Sequence, residues 1–565
     1  MSQHVVVIGA VALGPKAACR FKRLEPGSKV TMIDRSEFIS YGGCGIPYYV
    51  SGDVSDIKEL QTTSFHMVRD PQFFADTKGV DVLTRTEALR VDRENKRVRI
   101  KDLESGEESW LEYDQLVLAT GSEPRDLHLP GQDLPGVRAV GNLGDAVAIR
   151  QAVTQGEVER AVIVGAGFIG LEMAEALADM WDVHVEVVEI ADQILPGLVG
   201  PDLAAMGLKA MGAGGVEFHF GEGVKSIEGD GKVERVVTDK RTIEADLVIL
   251  STGVVPNDAL AREAGLEVGE RGGIMVDARM RTSDPAIYAG GDCVVIDNLV
   301  SGAPFFLPLG SMSNRQGRVI GTNLAGGEQT FPGAVGSFVV KLFEASMAGT
   351  GLSLAAAERA GFDAEAVLML QLDRAHFFPG KELMALEAVV ERGTRRVLGV
   401  QGFGPAGDAM VGRINAVAAI LPYKPTVEDL GNMELAYSPP FSSAMDVLNA
   451  LGNVAANVLD GVNAGIGPAE FDRRRCEGDC WVLDCRETAD AEAFLERLGD
   501  VWHNIPQGEL AKRLDEVPRD RPVVLVCNTG ARSYEAYVTL KDAGYSDVVN
   551  VYGGMAGLDK SDRKP

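Results

Sequence analysis

The stretch Ala161-Val162-Ile163-Val164-Gly165-Ala166-Gly167-Phe168-Ile169-Gly170, followed by an apolar helical pattern over residues 171–180, limits what this chain can fold into more than any other. It reads as a buried strand that runs into three spaced glycines and then a helix. In such a unit Gly165 makes the tight turn, Gly167 lets backbone amides come up against a pyrophosphate, and Gly170 lets the helix pack close to the strand. The phosphates then meet the positive end of the helix. The next strand, residues 184–188, ends in Glu189, placed to accept from a ribose 2′-hydroxyl. Ile190 and Ala191 follow with no arginine for a 2′-phosphate, which favours NADH over NADPH.

A looser version of the same pattern opens the chain. Val5-Val6-Val7-Ile8 leads into Gly9-Ala10-Val11-Ala12-Leu13-Gly14 and a helical stretch over residues 15–24, with Val11 where the middle glycine would stand. The strand at residues 29–33 ends in Asp34-Arg35, an acidic residue at about the distance expected for one that holds a ribose hydroxyl. Two such units predict two dinucleotides, and the natural pair is FAD with a nicotinamide. Two further apolar runs stopped by glycine, Gln115-Leu116-Val117-Leu118-Ala119-Thr120-Gly121 and Ala286-Ile287-Tyr288-Ala289-Gly290-Gly291-Asp292, read as parallel strands delivering loops to a ligand.

Between these units lies Ser40-Tyr41-Gly42-Gly43-Cys44-Gly45-Ile46-Pro47-Tyr48-Tyr49. A thiol is a nucleophile only as thiolate, and small neighbours let amides and a flat ring approach its sulfur. Cys44 is therefore the candidate redox centre, against the bland alternative of a buried loop cysteine. Composition is compatible with such an enzyme. The chain has 565 residues, room for several domains, and its 55 basic against 82 acidic residues give a net charge of −27. That balance argues against a nucleic-acid or anionic-membrane surface. The N-terminus shows no signal-peptide pattern, no apolar run spans a bilayer, and seven scattered cysteines fit a reducing compartment, so a cytoplasmic protein is expected.

With these residues together, the chain resembles the two-dinucleotide flavoprotein disulfide reductases, in the branch with one redox cysteine. Within it, Cys44-Gly45-Ile46-Pro47-Tyr48 is similar to the signature of coenzyme A-disulfide reductases and CoA-persulfide reductases. The resemblance implies that Asp34 holds the FAD ribose, that Thr120 and Gly121 lie along the cofactor, and that Asp292 reaches the ribityl chain. It implies a discontinuous FAD domain, residues 1–110 plus 265–330, with an NADH domain at 111–264 inserted. Ser251-Thr252-Gly253-Val254-Val255-Pro256-Asn257 would be the return crossing. Single-cysteine NADH oxidases and peroxidases resemble the chain too, but carry a histidine where Ala12 stands here. Peroxide chemistry is thereby disfavoured, while an NADH oxidase stays open.

Residues 331–455 read as mixed strands and helices, and the resemblance implies an α+β dimerisation domain that reaches the partner's active site in a homodimer. Ala436-Tyr437-Ser438-Pro439-Pro440-Phe441 matches one family motif, which would put Tyr437 near the partner's thiol as a donor or acid; a core tyrosine is the alternative. The family's Tyr-Tyr-Pro-Gly motif is here His376-Phe377-Phe378-Pro379-Gly380, without the hydroxyls. Lys16, Arg20, Lys22 and Arg23 make a basic cluster on the first helix. In relatives such residues help bind the phosphates of coenzyme A, and a solvated face is the equal alternative. Cys19 and Cys293 read as packing residues, and Cys476 with Cys480 as incidental thiols.

After a linker at 456–469, a new pattern starts. The strand Trp481-Val482-Leu483-Asp484 runs into Cys485-Arg486-Glu487, His503-Asn504-Ile505-Pro506 follows, and the strand at 522–526 ends in Cys527-Asn528-Thr529-Gly530-Ala531-Arg532-Ser533. A cysteine at a helix N-terminus, ringed by amides, has a lowered pKa and can cradle a persulfide. With Tyr552-Gly553-Gly554, these elements resemble a rhodanese domain over 470–565 that keeps its cysteine, with Arg532 in the loop. The expected whole is an α/β chain of two Rossmann-like domains, a dimerisation domain and a rhodanese domain. It would use NADH and FAD to reduce coenzyme A persulfide, polysulfide or CoA disulfide through Cys44. A sulfur carrier with a vestigial flavin is the competing reading.

Overall fold

The computed structural model describes residues 2–563. The chain divides into two compact units, one built from the residues up to 190 together with 222–334, the other from 191–221 together with everything from 335 on.

In the first unit a parallel sheet is centred on His4–Ile8, which pairs with Lys29–Ile33 on one side and Gln115–Leu118 on the other. Asp81–Leu83 and Ile287–Ala289 extend it at its two edges, also in parallel. Val5, Val6 and Val7 are completely buried, as expected of a central strand covered on both faces. The helix Leu13–Leu24 follows the first turn and packs along Gly310–Asn323. A second parallel array repeats the plan, with Arg160–Val164 between His184–Glu189 and Leu247–Leu250, and Val137–Ala139 beyond. Its glycine turn feeds the helix Phe168–Trp181. Ser122–Pro124 and Val254–Pro256 form an antiparallel pair connecting the two halves.

The second unit holds a five-stranded antiparallel sheet in the order Phe338–Leu342, Ala345–Gly351, Val397–Pro405, Leu383–Glu391, Ala364–Leu372. A parallel sheet follows in the order Gly465–Ile466, Val548–Val551, Val523–Val526, Trp481–Asp484, Trp502–Asn504. The stretch 456–469 is more structured than a linker. It begins as the last turn of the helix Val447–Leu459 and ends by contributing Gly465–Ile466 to the parallel sheet. Gly467 then opens the helix Pro468–Glu477, whose Ala469 amide donates to Asp202 Oδ1 at 2.8 Å. Asp202 sits on the helix Pro201–Ala213 and also pairs with Arg563 at 3.4 Å. Among the described residues, no helix is long and apolar enough to cross a membrane.

Candidate active site

The two glycine turns share one backbone solution. Gly9 and Gly165 have φ of +106° and +107°, a region that L side chains avoid. Gly14 and Gly170 leave no room either, since a Cβ there would lie 1.9 Å from the Gly9 carbonyl oxygen and 2.0 Å from that of Gly165. At Gly167, a Cβ would meet nothing within 4 Å, so that position is open for a ligand's approach rather than demanded by packing. Val11 can stand in the corresponding place without disturbing the turn. Each turn is also tied to the acidic end of the next strand. The Ala10 amide donates to Asp34 Oδ2 and the Ala166 amide to Glu189 Oε2, both at 2.7 Å. Asp34 takes a second amide, from Ser36, at 2.8 Å, and burial raises its pKa. Arg35 is exposed beside it. Thr120, Gly121 and Gly253 lie at the crossing, where Thr120 Oγ1 donates to the Asn257 carbonyl at 2.6 Å and Asn257 Nδ2 returns a bond to the Thr120 carbonyl.

Cys44 is not in an open loop. Gly43–Gly45 forms a 3₁₀ turn that runs directly into the helix Ile46–Ser51, and the thiol is exposed. Its sulfur lies close to the start of the helix Gly310–Asn323, where a Cβ on Gly310 would sit 3.7 Å away. The local fields oppose one another. Crowding by protein around the sulfur, then the carboxyls of Glu172 and Asp292, push the thiol pKa up, while backbone donors at Cys44 and Gly310 pull it down. The upward pushes win. Asp292 is itself raised by burial, against hydroxyl bonds from Ser313 and Ser122. Glu172, on the second glycine-turn helix, is pushed up to about 7 by burial and then by neighbouring Glu175.

The basic helix divides in two. Arg20 donates to Thr322 Oγ1 at 3.0 Å and Lys22 to the Ser28 carbonyl, so both are spent on structure, whereas Lys16 and Arg23 are exposed. In the second unit, the two segments expected at a partner's site are stitched together. The Ala375 amide donates to the Pro439 carbonyl at 3.3 Å, and Arg413 donates to the carbonyls of Asp373 and Phe441. Arg413 is held by Asp446 at 2.7 Å, both nearly inaccessible. Together they present Tyr437, Phe377 and Phe441 at 51%, 66% and 74% exposure, too open for the core-tyrosine alternative within this chain.

The C-terminal loop is tighter than its sequence implied. The helix Ala531–Asp542 starts four residues after Cys527, which places Arg532 and Ser533 in its first turn. Cys527 is buried, and its Sγ accepts from the Gly530 amide at 3.2 Å. The Ser533 hydroxyl donates to Asn550 Oδ1 at 2.6 Å and stands 3.3 Å from the same sulfur. Arg532 lies 3.7 Å from Glu487.

Residues 3–313 match the family model described as pyridine nucleotide-disulphide oxidoreductase, and 337–448 match that family's dimerisation domain. The chain belongs to the pyridine nucleotide-disulphide oxidoreductases. Residues 468–561 match the rhodanese-like domain. Among proteins similar to the chain is the NAD(P)H sulfur oxidoreductase (CoA-dependent) of Pyrococcus abyssi, 38% identical over 454 residues, which are 80% of this chain and 98% of the relative. The solved NAD-dependent persulfide reductase from A. fulgidus is 39% identical with a TM-score of 0.92, covering 98% of this chain and 99% of that one. Reduced Bacillus anthracis CoADR-RHD is 31% identical with a TM-score of 0.90, covering 99% and 98%. The chain is thus an oxidoreductase of a family that uses FAD and a pyridine nucleotide, with a C-terminal rhodanese domain.

Several residues beside Cys44, beside Cys527 and under the Tyr437 segment carry no clear sequence signal. Glu172 was signalled only by two acidic residues, Glu172 and Glu175, inside an apolar helical run. Ser533 and Asn550 come together across 17 positions, and nothing local announces the contact. Arg413 looks like an ordinary helical arginine until its buried partner is known.

Proposed function

We propose that this chain is an NADH-dependent reductase of sulfane sulfur and disulfides, taking coenzyme A persulfide, polysulfide or CoA disulfide, and working as a homodimer in the cytoplasm. The observation that supports this most is the pairing, in one chain, of an exposed single cysteine beside Asp292 and the Gly310 amide with a second cysteine, Cys527, cradled for sulfur transfer. FAD, when bound, supplies two-electron exchange between the nicotinamide and a protein thiol.

In this reading Gly9, Gly14, Asp34, Arg35, Thr120, Gly121 and Asp292 hold FAD, and Gly165, Gly167, Gly170, Glu189 and Gly253 hold NADH. Cys44, as thiolate, attacks one sulfur of CoA disulfide, forms a mixed disulfide and expels CoA thiolate. Tyr437 of the partner subunit protonates the departing sulfur, which accounts for an exposed tyrosine on the dimerisation domain. Lys16 and Arg23 hold coenzyme A phosphates, while Arg20 and Lys22 brace their helix. Cys527, helped by Arg532, accepts sulfane sulfur and presents it for reduction.

The test is anaerobic NADH consumption with CoA persulfide, polysulfide and CoA disulfide side by side, and with oxygen in a separate arm. Fast turnover on a sulfur substrate supports the reading. Turnover with oxygen alone would make the chain an NADH oxidase. No bleaching of the flavin by NADH would leave a sulfur carrier.

A further inference from the structure

Cys485 fills the variable place in the Leu-Asp-x-Arg-Glu turn, and the functional reading above gives it no task. The parallel ladder pairs Asp484 with Val526, and the Cys485 amide continues it by donating to the Val526 carbonyl at 2.8 Å. Cys485 and Cys527 are therefore the first residues past the ends of these two paired strands. Adjacent strands run about 4.8 Å apart, inside the Cα separations of about 4.4–6.8 Å that a disulfide spans. The side chains also share a face. Leu483, Cys485, Leu525 and Cys527 enter one core cluster, while Val482, Val524 and Val526 enter the other.

The Cys485 backbone is pinned from both sides. Asp484 takes the Arg486 guanidinium at 2.6 Å and the Trp502 indole at 3.1 Å, and Asn504 Nδ2 donates to the carbonyls of Asp484 and Arg486. Burial, then the neighbouring Cys527 and Asp484, push the Cys485 thiol well up, with Arg532 pulling the other way. Such a thiol does not compete for sulfur arriving from outside. It is matched to a partner held beside it, where proximity substitutes for intrinsic reactivity.

We propose that Cys485 is a resolving thiol for sulfur carried on Cys527, turning the rhodanese loop into a sulfide-releasing site. This rests on the reading of Cys527 as the sulfur acceptor. Thiosulfate loads Cys527 by transferring its sulfane sulfur and leaving as sulfite. Cys485 sulfur then attacks Cys527 Sγ, the bond to the outer sulfur breaks, and that sulfur leaves as hydrogen sulfide, taking the Cys485 proton. The two cysteine sulfurs are oxidised to a Cys485–Cys527 disulfide as the sulfane sulfur is reduced. Two low-molecular-weight thiols restore the pair and become a disulfide of the class proposed for Cys44.

The experiment loads the full-length protein with thiosulfate under anaerobic conditions, then follows sulfide release and the mass of the unreduced protein and its peptides. The expected course is gain of one sulfur on the Cys527 peptide. A cross-link between the Cys485 and Cys527 peptides follows, having lost two hydrogens, with one sulfide released per link. In Cys485→Ala and Cys485→Ser the persulfide should persist without sulfide release. The cross-link is read in the unmutated chain, so a variant that folds poorly does not decide the matter. A persulfide on Cys527 that never yields the cross-link overturns this proposal alone. Failure of Cys527 to take up sulfur overturns the sulfur-acceptor reading and this proposal together.

Discussion

Cys44 and Cys527 are both delivered by a short turn to the start of a helix, but the chain treats their sulfurs in opposite ways. The Cys44 thiol is exposed, and the carboxyls of Glu172 and Asp292 add to the crowding that opposes its ionisation. The Cys527 sulfur is buried and faces the Gly530 amide and the Ser533 hydroxyl. A sulfur whose charge is resisted suits a thiol that changes state with its surroundings during turnover. Buried against the Gly530 amide, the second sulfur is instead shielded from solvent.

The largest expected break in this comparison comes from Cys44→Ser. NADH-dependent reduction of every sulfur substrate should fall by about 10⁴-fold or more, the order seen when a covalent nucleophile is removed. Flavin bleaching by NADH, followed in a stopped-flow spectrometer, should survive. Cys527→Ala should reduce sulfur transfer from thiosulfate to background yet leave CoA-disulfide reduction unchanged; equal loss on both substrates would mean that the two cysteines are not separate.

Glu172→Gln should sharpen the comparison by a smaller amount. Burial and Glu175 push the native carboxyl up to about 7, and its charge, once present, opposes the Cys44 thiolate, so the variant's alkylation rate by iodoacetamide should rise at lower pH than in the parent. The same substitution affects stability. The folded state keeps the Glu172 proton to higher pH than an ordinary carboxyl of 4.5 does, so this residue costs stability as pH rises from there to about 7. The variant's denaturation midpoint should fall less across that window. The smallest effect is expected for Ser533→Ala, which removes the hydroxyl 3.3 Å from the Cys527 sulfur and takes the 2.6 Å donor from Asn550 Oδ1. A loss of about 0.5–1.5 kcal/mol is a few-fold to roughly tenfold drop in thiosulfate sulfur transfer, with the reductase rate unaffected.

The domain plan was legible because it is written in local chemistry. Strand, glycine turn and helix are read from neighbours in sequence, and Gly165, Gly167 and Gly170 report on one continuous turn. The first turn was harder to read for an instructive reason. Pattern matching weighs three glycines equally, whereas the backbone requires Gly9 for its positive φ and Gly14 for close packing, leaving the Val11 place free. The Cys44 thiol could be picked out, but its opposing carboxyls could not. Glu172 and Asp292 are brought there by different strand-and-helix units, and a sequence does not state what faces what across a fold. The Cys485–Cys527 adjacency lies between these cases, since it needs only the register of two parallel strands, which a motif comparison ignores.

The bond from the Ala469 amide to Asp202 has a meaning for how such a chain can be taken apart. Asp202 borrows its hydrogen-bond partner and its Arg563 counter-charge from the rhodanese part, while buried Glu387, pushed up to about 8 by burial and by Asp202, stands near it. Excising the last hundred or so residues would therefore remove both partners of Asp202 and, with Gly467 against its Oδ2, the cover that keeps water from it. The C-terminal part therefore does more than follow the chain it is joined to: it caps an acidic residue of the helix Pro201–Ala213.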